Sequence, residues 1–83
     1  MEDKKIIELF FARSERAIEC VRERYGDLCR HIASNMLSDP EDVEECLSDT
    51  YMALWDAIPP ARPQKLRPFV ARIARNQAGN KLA

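Results

Sequence analysis

Few side chains of this 83-residue chain could do chemistry, and their spacing excludes most catalytic and metal sites. His31 is the only histidine, and Cys29 precedes it by two positions. On a helix, residues two apart point about 200° from each other, so these two side chains cannot share a metal ion. The sequence also lacks a glycine-rich phosphate loop, a Gly-x-Ser-x-Gly motif and a CxxC pair. We therefore expect no enzymatic activity, no metal ion and no cofactor.

The three cysteines are Cys20, Cys29 and Cys46, and all of them lie among apolar residues. An odd number cannot pair completely within the chain, and free cysteine behaves as a small buried hydrophobe. The N-terminal residues are not followed by a signal-peptide core, and no apolar run approaches the roughly 20 residues of a membrane span. We therefore expect a cytoplasmic chain without membrane contact, whose cysteines belong to the core.

The ionisable residues are segregated along the chain. Residues 1–37 carry seven acidic and seven basic side chains, residues 38–58 carry seven acidic and no basic ones, and residues 59–83 carry six basic and no acidic ones. Helical spacing spreads the carboxylates of residues 39–49 around the surface, so no loop gathers them for a calcium ion. This segregation indicates two surfaces for two different partners. An intramolecular match, in which the acidic helix neutralises the basic one, is the alternative.

The elements that carry these charges are predicted to be four helices in a compact all-α bundle. Apolar residues recur at steps of three and four, which is the helical period, and two glycines with six aromatic residues are too few for a turn-rich β-sandwich. The predicted helices are a short one over 4–12, a long one that continues through Gly26 to Leu37, an acidic one over 39–58 and a basic one from Leu66 onward.

The helix boundaries follow from capping residues and prolines. Ser14 can cap the second helix. The acidic helix can begin either with Asp39 as its cap and proline at the first helical position, or with a capping box between Ser38 and Glu41. Two successive prolines end that helix, and three prolines stiffen the connecting loop over residues 59–65.

Three segments together resemble region 2 of bacterial RNA polymerase sigma factors of the extracytoplasmic-function type. They are Tyr25-Gly-Asp-Leu-Cys-Arg-His-Ile-Ala33, the acidic run over 38–55, and Leu66-Arg-Pro-Phe-Val-Ala-Arg-Ile-Ala-Arg-Asn76. Their order and the short loop between the last two are those of the family. The resemblance covers nearly the whole chain and implies a single domain of 1–83. Its parts are the N-terminal helices over 1–37, the acidic polymerase-binding helix over 38–58, and the specificity loop with the basic promoter-binding helix over 59–83.

The resemblance implies that the acidic helix binds the clamp helices of the largest subunit of RNA polymerase core. The matching positions here are Glu45, Ser48, Asp49 and Met52. Family members usually carry glutamine where Ser48 stands. Tyr51 and Trp55 match aromatic residues of the family, and their spacing predicts that they belong to the core.

The resemblance also implies that the loop and the basic helix recognise the −10 promoter element as an opened non-template strand, with one base flipped into the loop. Asn76 can donate to and accept from a base edge, and the arginines and lysines suit phosphates. Asn80 stands where many family members have aspartate. The residues expected to contact DNA are Arg62, Lys65, Arg72, Arg75, Asn76, Asn80 and Lys81.

Two further expectations concern a second domain and an additional protein partner. A sigma factor of this type needs a second helical domain for the −35 element, and we expect that domain to be absent from this chain. An anti-sigma factor is a further partner that the resemblance suggests. The competing hypothesis is a helical protein-interaction module without nucleic-acid binding, in which Arg72 and Arg75 pair with acids of the third helix.

Overall fold

The computed structural model describes residues 1–82, and within them it contains four helices and no strand. The helices are α1 (Asp3–Phe11), α2 (Arg16–Met36), α3 (Pro40–Ala57) and α4 (Leu66–Leu82). None of these helices is long and apolar enough to cross a membrane. The all-α prediction is confirmed, and the predicted boundaries agree with the observed ones to within one or two residues.

The core lies where α4 packs against both α2 and α3, while α1 covers one side of α2. Burying an aliphatic or aromatic side chain completely contributes about 1.5–3 kcal/mol, so a few such residues per helix hold the bundle together. Helix α2 runs unbroken through Gly26, as its apolar phase predicted. The fully buried apolar side chains include Ile6, Phe10, Val21, Leu54, Ile58, Leu66 and Val70.

Asp39 caps α3. Its carboxylate accepts a hydrogen bond of 2.8 Å from the backbone N–H of Glu41, and Pro40 is the first helical residue. Of the two predicted starts, the one with the Asp39 cap is therefore observed. At the preceding helix, Glu15 occupies the cap position and its side chain forms no cap bond, but the predicted hydrogen bond is present: the Ser14 hydroxyl accepts from the N–H of Arg16 at 3.3 Å.

Replacing Asp39 by alanine should destabilise the domain by about 1 kcal/mol, because the first turn of α3 loses its side-chain acceptor. Urea denaturation followed by circular dichroism measures the change. Ser38→Ala is the matched control, and its midpoint should stay close to that of the unsubstituted protein. An equal loss in both variants would contradict the assignment of Asp39 as the cap.

All three cysteines are free and buried, which confirms the core prediction. Burial, and secondarily the neighbouring Cys46 thiol, raises the pKa of the Cys29 thiol from 9.0 to about 11. Burial also raises the pKa of Cys46. Because both pKa values exceed their ordinary value, the folded state holds these protons more tightly than the unfolded chain does.

The stability of the domain should therefore be fully present below pH 9 and fall as the pH rises from 9 towards 11. Tyr25 and Tyr51, whose pKa values burial raises, add to this loss. Urea midpoints measured across this range in reducing buffer check the expectation. Cys29→Ala should show a flatter decline than the unsubstituted protein, and an identical slope in the two proteins would contradict the role of this thiol.

Candidate functional site

The predicted polymerase-binding residues lie together on one face of α3. Glu45, Ser48, Asp49 and Met52 follow the i, i+3, i+4, i+7 spacing of a single helical face. The opposite face of α3 supplies core residues, so these four side chains are turned towards solvent. Met52 is 60% exposed, which is unusual for a large apolar side chain in this molecule. The structure thus places an anionic patch with an apolar end on the surface, which we call the α3 face.

A groove between α2 and α3 borders the α3 face, and sequence reasoning did not single it out. Two neighbouring depressions of about 290 and 280 Å³ share Arg22, Ser48 and Tyr51 in their lining. The Arg22 guanidinium lies over the Tyr51 ring at 4.9 Å from its centroid. Because Ile18 and Trp55 line the second depression beside Met52, the apolar end of the α3 face continues into this groove.

Lys81 pairs with the acidic helix. Its Nζ lies 2.6 Å from a carboxylate oxygen of Glu45 and 3.2 Å from one of Asp49, and its side chain is only 15% exposed. The hydrogen bond to Glu45 is the main cause that raises the pKa of Lys81. The structure therefore brings together three residues that the sequence assigned to two different partners. The sequence contained a signal for this pairing. Lys81 follows the buried Ala74 by two helical turns, so the two residues lie on the same face of α4.

Four other polar residues of α4 lie on the side of the helix that faces solvent. Arg72, Arg75, Asn76 and Asn80 are exposed and lie within one arc of the helix, which we call the α4 face. Within residues 1–82, neither Arg72 nor Arg75 forms an ion pair. If the acidic and basic helices only neutralised each other, the basic residues of α4 would all pair with α3. In the part of α4 that the structure describes, Lys81 alone does so.

The loop over residues 59–65 packs against α1. The Arg62 guanidinium lies over the Phe11 ring at 4.0 Å from its centroid, while Lys65 is exposed. A cleft of about 310 Å³ separates the loop from α1, lined by Asp3, Lys4, Ile7, Arg62, Pro63 and Gln64. Of the two loop residues predicted to contact DNA, Arg62 thus packs against the N-terminal helix, whereas Lys65 remains exposed.

No group of three or more histidine, cysteine or acidic side chains within residues 1–82 is arranged to hold a metal ion. The structure offers instead an anionic patch on one helix and a polar, cationic patch on the next. A comparison with protein families finds that the model of sigma-70 region 2 matches residues 21–83. The chain belongs to the sigma-70 region 2 family. Comparisons with curated proteins and with solved structures find no match.

Region 2 of sigma-70 factors is a non-enzymatic domain of transcription initiation, and it takes part in promoter recognition and RNA polymerase binding. The observed four-helix bundle is consistent with that family. The match spans α3, the loop and α4 completely, and it begins within α2 at residue 21. Helix α1 lies outside the matched part of this region 2 domain. So does the corner over residues 11–15, in which the chain turns from α1 into α2.

Arg13, in this corner, is a residue that sequence reasoning missed. Its φ of 55° is left-handed, a conformation that is unfavourable for a side chain larger than glycine. Its Nη1 donates hydrogen bonds of 2.9 Å to the backbone carbonyls of Trp55 and Ile58. Its guanidinium also lies 3.7 Å from the centroid of the Trp55 ring. Trp55 is therefore half-buried under Arg13, whereas Tyr51 is buried as predicted.

Proposed function

We propose that this region 2 domain is of the extracytoplasmic-function type, acts in the cytoplasm and binds the clamp helices of the polymerase's largest subunit through Glu45, Ser48, Asp49 and Met52. An anionic face with an exposed methionine at one end suits a basic partner that also presents apolar side chains. Ser48 lines both depressions of the bordering groove, so a partner helix on the α3 face would also reach the groove.

The second part of the proposal concerns the −10 promoter element, read as an opened non-template strand. The α4 face supplies Arg72 and Arg75 for phosphates and the amides of Asn76 and Asn80 for base edges. Phosphate contacts orient the strand, and base contacts select its sequence. In the loop, Arg62 and Lys65 would flank a flipped base. Lys81 would join the DNA contacts only after leaving its two carboxylate partners on α3.

The observation that carries this proposal is the exposure of the α4 face. Had Arg72 and Arg75 been paired with α3, the acidic and basic blocks would have neutralised each other and left no cationic surface for DNA. Instead the single pairing, at Lys81, leaves both arginines solvated within the described chain. The three blocks of the sequence thus correspond to three tasks: residues 1–37 form a scaffold, 38–58 bind polymerase and 59–83 bind the promoter.

Two binding measurements test the proposed function. Fluorescence anisotropy with a labelled coiled coil of the clamp helices should show saturable binding, and a labelled single-stranded −10 oligonucleotide should bind weakly with strong salt dependence. Binding to the clamp helices without any binding to DNA would favour the protein-interaction alternative. Binding to neither would overturn the proposal. An anti-sigma factor, if one acts here, would be detected as a competitor in the first measurement.

A further inference from the structure

We propose that Arg13 is a positioning residue for the 59–65 loop, so that the corner between α1 and α2 takes part in promoter binding without touching DNA. This inference rests on the proposed function of the loop. It concerns residues outside the family match, which begins at residue 21. The corner holds the loop through two contacts, one at the place where the loop leaves α3 and one in its middle.

The first contact replaces a hydrogen bond that Pro59 removes. In a continuing helix, the Trp55 carbonyl would accept from the N–H of residue 59, but that residue is a proline and has no N–H. The last turn of α3 therefore leaves carbonyls without a backbone donor. Arg13 supplies the donor, because Nη1 carries two N–H groups and reaches both Trp55 and Ile58 at 2.9 Å.

The positive charge of Arg13 strengthens this contact. Hydrogen bonds from a guanidinium are stronger than neutral ones, and a cation at the C-terminal end of a helix is stabilised by the helix dipole. Stacking on Trp55 at 3.7 Å adds a cation–π contribution. Together these terms offset the cost that a left-handed backbone imposes on a non-glycine residue.

The second contact is made by the loop itself. Arg62, in the middle of the loop, packs its guanidinium over Phe11, which is the last residue of α1. Phe11 and Arg13 are thus two positions apart in one corner, and they hold the loop at Arg62 and at Ile58 respectively. A loop held in this way has less conformational freedom to lose when it takes up a flipped base, so its affinity for DNA is higher.

Arg13→Gly tests the inference with little disturbance of the backbone, because glycine adopts a positive φ without strain. Arg16→Ala removes the same charge from an exposed site three residues away and is the matched control. The first measurement is amide hydrogen exchange at Ala61, whose N–H bonds to the Ala57 carbonyl at 2.9 Å just after the contact. We expect exchange at Ala61 to be about tenfold faster in Arg13→Gly and unchanged in Arg16→Ala.

The second measurement separates positioning from general destabilisation. Arg13→Gly should bind the single-stranded −10 oligonucleotide about fivefold to tenfold more weakly than Arg16→Ala does. Its affinity for the clamp helices should change less than about twofold. Arg13 donates its hydrogen bonds to Trp55 and Ile58, which follow the last residue of the α3 face in the chain. If Arg13→Gly does not fold, Arg13→Lys replaces it, since lysine keeps the charge but lacks the planar guanidinium fork.

Unchanged exchange at Ala61 would overturn the inference. Faster exchange combined with DNA binding equal to that of Arg16→Ala would overturn the role of the corner in promoter binding. The failure of the proposed function looks different, because the unsubstituted protein would then bind no −10 oligonucleotide at all. In that case faster exchange at Ala61 would still support the anchoring of the loop.

Discussion

Reversing both charges in Glu45→Arg, Asp49→Arg should weaken binding to the polymerase clamp helices by about a hundredfold or more. Each substitution replaces an attractive carboxylate at the centre of the proposed contact by a like charge, which costs more than a simple truncation. Surface plasmon resonance with the immobilised coiled coil measures the change. The loss should shrink at high salt, because the contact is partly exposed and therefore screened.

Two controls identify the origin of this loss. Glu8→Arg, Glu23→Arg changes the net charge by the same amount at exposed positions of α1 and α2, and it should leave the affinity within about twofold. Lys81→Met removes the ammonium that both carboxylates bind, but it leaves the carboxylates ionised and accessible. Binding should then be retained or improved. A loss with Lys81→Met as large as that of the double reversal would show that α3–α4 packing, and not the anionic face, is responsible.

Removing both exposed arginines in Arg72→Ala, Arg75→Ala should halve the salt dependence of binding to a single-stranded −10 oligonucleotide. Each neutralised phosphate contributes about −0.7 to the slope of log K against log salt. With about four phosphates engaged, the slope of the unsubstituted protein should be near −2.8, and that of the variant near −1.4. Anisotropy titrations at several salt concentrations give both slopes.

Lys5→Ala, Arg16→Ala is the matched control, since it removes two exposed positive charges away from the α4 face. Its slope should remain that of the unsubstituted protein. Asn76→Ala changes no charge, so it should lower affinity and base preference while leaving the slope unaltered. If Lys5→Ala, Arg16→Ala reduced the slope as much as the loss of Arg72 and Arg75 does, the binding surface would lie elsewhere on the domain.

These experiments also distinguish the two hypotheses that the charge pattern left open. The structure shows a mixed case, in which one basic residue of α4 neutralises the acidic helix while Arg72 and Arg75 stay exposed. A module that only bound proteins would need no cationic α4 face. A salt slope close to zero in the unsubstituted protein would therefore favour that hypothesis, whatever the affinity for the clamp helices.

The sequence by itself determined the local features of this protein. The apolar steps of three and four, the Asp39–Pro40 start and the paired prolines after Ile58 were enough to predict four helices, because each feature acts within about one helical turn. The same period predicted that Arg72 and Arg75 lie off the apolar stripe of α4, where they are exposed. The order of the motifs was enough to predict a sigma factor region 2, which the comparison shows, while the extracytoplasmic-function type stays a proposal.

Only the tertiary structure decided which charges meet and what holds the loop. Lys81 contacts Glu45 across 36 positions, and Arg13 reaches Ile58 across 45 positions of the chain. Such pairs depend on how the helices are packed, and one-dimensional spacing does not encode the rotation and offset of one helix against another. The missing N–H of Pro59 was visible in the sequence, but its replacement by a distant guanidinium became identifiable only once α1, α2 and α3 were in place.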